Sequence, residues 1–266
     1  MKKANRLILL LFVSIILLTA CNKLLNSPGE DSIDHNLVMA TLYNYYAAEY
    51  QALAYQAYNI GKKQLLIKRL HNPEAKNLAV VVDVDETILD NSPFEAKLIL
   101  DNKSYNKNNW QEWCKLESAK AVPGALEFLQ FADSLNFHIF YLSNRKKEIE
   151  QELTMNNLRK LGFPQINNKQ FLFKTDISNK ESRRQKILKK YKVVLFAGDN
   201  LGDFYEDSSD FTDRKTLMMM NKDKFGEKFL VLPNAMYGNW LNSLGMQDNK
   251  KAIDSLLNIM VQPYQK

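Results

Sequence analysis

Four short runs of consecutive apolar residues punctuate the chain, at Leu78–Val82, 137–142 (interrupted only by His138), 193–197 and 229–232. Runs of this length without polar alternation predict strands buried on both faces. Between them, residues 124–135, 146–161 and 181–191 carry helical patterning. Strands alternating with helices of ten or more residues predict βαβ units, hence an α/β, Rossmann-like core with a parallel sheet. Ahead of the first strand, residues 37–70 are rich in alanine, leucine and tyrosine, lack proline and hold one glycine, Gly61. That stretch predicts one long helix, or two joined near Gly61, with Tyr43, Tyr45, Tyr46, Tyr50, Tyr55 and Tyr58 packing against the core. Residues 91–122 break the alternation. They are polar, carry Trp110 and Trp113, and predict an insertion after the first strand that forms a small cap.

The N-terminus follows another rule. Lys2, Lys3 and Arg6 precede residues 7–18, which are apolar except for Ser14. Such a run is short for a membrane span but has the length of a signal-peptide core. Its end, Leu18-Thr19-Ala20-Cys21, resembles the bacterial lipobox. The resemblance implies that residues 1–20 are removed and that Cys21 is lipidated, anchoring the protein to a membrane. Asn22 follows the cysteine in place of the aspartate that retains some lipoproteins at the inner membrane, so an outer-membrane location is expected by the same resemblance. Residues 21–36, with Ser27-Pro28-Gly29, read as a flexible tether, leaving 37–266 to fold.

Composition narrows the choice. Hydrophobic residues at 45% and charged residues at 25% are those of a globular protein and exclude a multispan membrane protein or a disordered chain. A net charge of +6 raises nucleic acid as a partner, yet Lys2, Lys3 and Arg6 contribute three of those charges and lie in the leader. The remaining bias suits anionic small molecules, and no nucleic-acid partner is expected. Arg183, Arg184, Lys186, Lys189 and Lys190 predict a solvated helix face. With Cys21 lipidated, Cys114 is a single thiol and no disulfide is expected. His35, His71 and His138 are too dispersed for a histidine metal site.

Polar residues cluster directly after the strand runs, where open parallel sheets bind ligands. They are Asp83-Val84-Asp85-Glu86-Thr87, Ser143-Asn144-Arg145, Lys180 at a helix start, and Gly198-Asp199-Asn200-Leu201-Gly202-Asp203. In this order they resemble the four motifs of the haloacid dehalogenase (HAD) phosphatases. The residue types suit that chemistry. Carboxylates at i and i+2 of a strand end face one side, so one can attack phosphorus while the other moves protons. A phosphate dianion repels such a nucleophile, which calls for a hard cation and a lysine. The resemblance implies Asp83 as nucleophile and Asp85 as general acid, then base. It implies Mg²⁺ on the Asp83 carboxylate, the Asp85 main-chain oxygen and Asp199, with Asp203 in support. Thr87, Ser143, Asn144 and Lys180 match phosphate-handling positions.

A closer resemblance exists. The lipobox, the tyrosine-rich helix, Leu89-Asp90-Asn91-Ser92-Pro93, Val122-Pro123-Gly124-Ala125 and Pro233-Asn234-Ala235-Met236-Tyr237-Gly238-Asn239-Trp240 are similar to the class C acid phosphatases. These are bacterial surface lipoproteins, several acting as 5′-nucleotidases. The resemblance implies a nucleoside monophosphate as substrate and a nucleobase held between Tyr237 and Trp110 or Trp113, with Phe94 and Trp240 left to packing. Base stacking tolerates sequence, which would suit broad base preference. Lys180 is followed by Glu181-Ser182, where many relatives have serine directly after the lysine. Other readings are a broad phosphatase for sugar phosphates, aryl phosphates or phosphotyrosine, and a non-catalytic surface-binding lipoprotein on a phosphatase fold. The absence of an R-H-G-x-R pattern excludes the histidine acid phosphatases.

Overall fold

The computed structural model describes residues 35–245 and 250–261. The expected leader, Cys21 and residues 22–34 of the tether lie outside the described residues. The described residues begin with helices α1 (His35–Tyr46) and α2 (Ala48–Leu70), followed by β1 (Leu78–Val82). Next come β2 (Leu89–Asp90), α3 (Ser92–Leu100), α4 (Lys107–Leu116) and β3 (Lys120–Ala121). Helix α5 (Ala125–Ser134), β4 (His138–Tyr141), α6 (Lys147–Leu161), α7 (Glu181–Leu188) and β5 (Lys192–Gly198) continue the alternation. Helix α8 (Phe211–Met220), β6 (Phe229–Val231), α9 (Asn239–Ser243) and α10 (Lys250–Met260) complete it. No helix among the described residues is long and apolar enough to cross a membrane.

The four apolar runs form one parallel sheet in the order β4-β1-β5-β6. Apart from a register shift that puts Val194 and Leu195 of β5 in one core, their side chains divide by parity, as a period of two requires. Val80, Val82, Ile139, Tyr141, Leu195 and Ala197 join one core with Ala54, Tyr58 and Leu65 of α2 and Phe128 and Leu129 of α5. Ala79, Val81, Phe140, Leu142 and Phe196 join a second core with Ile187 of α7. Helices therefore cover both faces, which is why these strands contain no polar alternation. His138 behaves as a strand residue, its Nε2 lying 3.1 Å from the Lys76 carbonyl and its ring edge-on to Tyr191. Cys114 is a buried free thiol, and burial pushes it up to about 12, keeping it neutral and unreactive.

The N-terminal helical stretch departs from expectation in two ways. The break falls at Ala47, which is extended (φ −72°, ψ 128°), and not near Gly61. No proline or glycine marks that site. Its setting is tertiary, because α1 packs on α3 as well as on α2. Gly61 instead lies inside α2 where the helix approaches the core. A Cβ there would come within 2.6 Å of Leu230 and 2.8 Å of Phe128. Only Tyr50 and Tyr58 of the six tyrosines are buried. They share the α2 stripe Tyr50, Ala54, Tyr58, Gly61, Leu65, while Tyr43, Tyr46 and Tyr55 lie off it and are exposed.

Helix α3 buries Glu95 as well as Phe94 and Leu98. Among the described residues no group pairs with the Glu95 carboxylate, and burial alone pushes it up to about 7. Between the ordinary carboxyl range and pH 7 the folded chain keeps a proton that the unfolded chain has released. Stability is thus fully present below about pH 4.5 and falls as pH rises through 7, by on the order of 3 kcal/mol in all. Glu95→Gln, which mimics the protonated form, should raise Tm by roughly 5–10 °C at pH 8 and hardly at pH 4.5. Thermal unfolding at the two pH values checks this.

Candidate active site

Strand register assembles the site. Val82 pairs with Tyr141 on one side and with Ala197 on the other, so the chain leaves β1, β4 and β5 at one level. The Asp83 N–H donates to the Ala197 carbonyl at 2.9 Å, and the Leu142 N–H to the Val82 carbonyl at 2.8 Å. Asp83, Ser143 and Asp199 thereby emerge side by side. Lys180, immediately before α7, reaches the same place.

The Lys180 ammonium donates to Asp83 Oδ1 and, at 2.6 Å, to Asp203 Oδ1. All three side chains are at least nine-tenths buried. Burial opposes the lysine's charge, but Asp203 and Asp83 outweigh it and hold the ammonium above its usual range. Asp83 is raised, by burial first and then by Asp203 and Asp85, against the lowering effect of Lys180. Burial, Asp203 and Asp83 likewise raise the Asp199 carboxyl well above its ordinary value. One ammonium thus serves three carboxylates.

Carboxylate oxygens of Asp83, Asp199 and Asp203 lie within 4.8 Å of one another, a hard donor set that fits a divalent cation. Asp203 is already committed, with Oδ1 on Lys180 and Oδ2 on the Asn200 N–H at 3.0 Å. Among the described residues Asp83 Oδ2 and Asp199 Oδ1 accept no hydrogen bond, so these two oxygens are the ones open to a metal. Asn234 Nδ2 holds the other Asp199 oxygen at 2.8 Å. Gly198 is required here, since a Cβ would sit 2.3 Å from Asp203 Oδ2.

Asp85 stands apart from this cluster, paired with Arg145 at 2.8 Å and retaining solvent contact. The turn that follows Asp85 is strained at Glu86, whose φ of 52° is left-handed. Glu86 is buried, and burial together with Asp85 and Asp199 raises its carboxyl well above the ordinary value. The Asn91 N–H and Nδ2 hold that carboxyl in place. Thr87 is fully buried. Its hydroxyl is sealed from the surface without a partner among the described residues, and its carbonyl accepts from Tyr58. Ser143 is buried, with Oγ accepting the Arg145 N–H at 3.0 Å and its own proton left to donate. Asn144 is exposed, its Oδ1 held by Arg183 at 2.6 Å.

The expected solvated face of α7 is overturned at its first turns. Lys186, Lys189 and Lys190 are exposed, but Arg183 and Arg184 are buried. Arg183 donates to the carbonyls of Ser143, Leu172, Ser178 and Asn179 as well as to Asn144. Arg184 donates to the Gly202 carbonyl and to Glu181. Loop ends of a sheet leave carbonyls without ladder partners, and guanidinium forks satisfy several at once. Charge-run reasoning missed this because it counts charges and not the loops around them.

Of the aromatic candidates, Trp110 lies over the Arg145 guanidinium at 5.1 Å and edge-on to Phe94. The Trp113 indole N–H donates to Asn91 Oδ1 at 2.8 Å. Tyr237 is half-buried, three residues after Asn234, whose Oδ1 takes the Met236 N–H at 2.9 Å. No ring contact joins Tyr237 to either tryptophan among the described residues. Phe94 is buried as expected for packing, whereas Trp240 is 37% exposed.

Residues 29–240 match the family described as HAD superfamily, subfamily IIIB (Acid phosphatase). The chain belongs to that subfamily. The class C acid phosphatase of Bacillus anthracis is 35% identical with a TM-score of 0.76, covering 85% of this chain and 95% of that one. A second structure of that phosphatase, with tungstate bound, gives 34% identity and a TM-score of 0.77 over 86% and 97% of the two chains. A stem 31 kDa glycoprotein of Glycine max is 27% identical over 133 residues, 48% of this chain and 52% of its own length. Acid phosphatase 1 of Solanum lycopersicum is 24% identical over 163 residues, 59% of this chain and 57% of its own. The chain spans about half the length of the curated relatives it matches. The α/β fold with a parallel four-stranded sheet is that of the HAD class C phosphatases.

Asn91, Arg145 and Asn234 lie inside the motifs, but their tasks are not legible in the sequence, because amide and guanidinium roles depend on partners distant in sequence. Arg183 provides a test. Lysine in its place keeps the charge but offers a point donor for a fork, so Arg183→Lys should cost about 2 kcal/mol in denaturant unfolding. It should also lower kcat/KM for a phosphomonoester at least tenfold, roughly 1.4 kcal/mol of transition-state stabilisation, as Ser143 and Lys180 lose their anchor.

Proposed function

We propose that this chain is a Mg²⁺-dependent acid phosphatase that hydrolyses nucleoside 5′-monophosphates outside the cytoplasm while anchored to a membrane by lipid on Cys21. One observation carries the reading. Asp83 is buried against Lys180 beside Asp199, with Asp85 two residues on and outside the carboxylate cluster. That arrangement suits a nucleophile and a separate proton carrier. The tungstate held by the Bacillus anthracis relative, a tetrahedral oxyanion, supports a phosphoryl site.

In this reading an Asp83 oxygen attacks phosphorus in line with the ester bond. Lys180 neutralises part of the charge on the transferring group, and the Ser143 hydroxyl donates to one of its oxygens. Asp85 gives its proton to the departing alcohol and then takes one from the water that releases phosphate from Asp83. Mg²⁺, held by the Asp83 and Asp199 carboxylates and the Asp85 main-chain oxygen, would offset the repulsion between the phosphate dianion and the acidic cluster. Tyr237, with Trp110 or Trp113, supplies aromatic surface for the base.

Asp83→Asn should lower phosphate release by at least about a thousandfold with thermal unfolding unchanged, and EDTA should abolish the activity of the parent until Mg²⁺ is restored. A panel of nucleoside monophosphates, sugar phosphates and aryl phosphates reads substrate class in the same assay. Equal kcat/KM across the panel would favour a broad phosphatase, and no turnover of any ester would revert to a binding protein. Tyr237→Ala should cost roughly 1–3 kcal/mol in kcat/KM for AMP and little for 4-nitrophenyl phosphate.

A further inference from the structure

Asp85 is gripped by one oxygen. Its Oδ1 accepts from Arg145 Nε at 2.9 Å and from Asn91 Nδ2 at 2.9 Å, with Arg145 Nη2 a further 2.8 Å contact. Among the described residues nothing donates to Oδ2. A carboxylate turns easily about its last torsion, which would interchange the two oxygens, and two donors with a further guanidinium contact on one of them remove that freedom. Both gripping side chains are themselves fixed. Arg145 is 4% exposed, donates from Nη1 to Thr154 Oγ1 at 3.0 Å and from Nη2 to Asn91 Oδ1 at 3.2 Å. Asn91 is fully buried, and its Oδ1 also takes the Trp113 indole N–H. Trp110 covers the guanidinium. Helix α4 thus reaches Asp85 through two tryptophans.

We propose that Arg145 and Asn91 are positioning residues that aim Asp85 Oδ2 at the leaving-group oxygen, with Trp113 setting Asn91 for that task. The proposal rests on the reading of Asp83 as nucleophile and Asp85 as proton donor. In the step concerned, the bond from Asp83 to phosphorus forms as the ester P–O bond breaks. The electron pair departs on the alcohol oxygen, and the Oδ2 proton moves to it. An ester whose leaving group is stable as an anion gains little from that proton. One with an alkoxide leaving group depends on it.

The test compares kcat/KM for benzyl phosphate and 4-nitrophenyl phosphate in the parent, Asp85→Asn, Arg145→Lys and Trp113→Phe. Asp85→Asn should lose about a hundredfold more on benzyl phosphate than on the nitrophenyl ester. Arg145→Lys should show the same bias, roughly tenfold or more, and Trp113→Phe a bias of about threefold. Equal losses on both esters in Arg145→Lys and Trp113→Phe, with Asp85→Asn still selective, would overturn the positioning role and leave the proton donor standing. Equal losses in Asp85→Asn would remove the proton donor and the positioning role with it. Should Arg145→Lys unfold, Trp113→Phe, which keeps an aromatic ring at the position and removes the indole N–H, decides alone.

Discussion

The ammonium of Lys180, buried between Asp83 and Asp203, is the interaction around which the rest of the site is built. A buried charge is tolerated only when its partners are close and well oriented, and the cost of leaving one unpaired runs to several kcal/mol. Two devices keep the partners in place. Gly198 has no Cβ, which lets Asp203 fold back against the end of β5, and the Asn200 N–H ties the second Asp203 oxygen. Three carboxylates facing one lysine leave the cluster short of positive charge. That shortage raises the Asp83 and Asp199 carboxyls and makes the cluster receptive to a hard cation.

Buried arginines do the corresponding work for the loops. Strand ends and the turns beyond them have carbonyls that no neighbouring strand can satisfy, and water is excluded from this depth. Arg183 satisfies four such carbonyls and the Asn144 side chain, while Arg184 takes the carbonyl of Gly202. The segments bearing Ser143, Lys180 and Asp203 are therefore tied to one helix, α7. Side chains from three loops keep a common frame, the kind of preorganisation that charge stabilisation requires.

The insertion after β1 is joined to the Asp85–Glu86 turn by polar contacts as well as by packing. Asn91 spans the two, bonding Glu86 and Asp85 on one side and Trp113 on the other. It also steadies the left-handed Glu86, a conformation that costs roughly 1 kcal/mol for a residue with a side chain. The two tryptophans of α4 and the Asp85 carboxylate are in this way parts of one packed unit.

The amino-acid sequence by itself determined the four strands of the parallel sheet, their buried two-faced character and the order of the acidic motifs, because apolar periodicity and short-range spacing are local properties, whereas the short β2–β3 pair was not legible in it. It reached Asp83, Asp85, Lys180, Asp199 and Asp203 for the same reason, since each follows directly on a strand or opens a helix or turn. It misplaced the break between the first two helices, assigned the off-stripe tyrosines to the core and put Arg183 and Arg184 in solvent. Those outcomes depend on which surface meets which. Only the tertiary structure decided that Gly61 is a contact point, that Thr87 is sealed, and that Arg145 and Asn91 converge on a single oxygen of Asp85. Burial and hydrogen-bond partnership are set by residues far apart in the chain, brought together when the strands align in register.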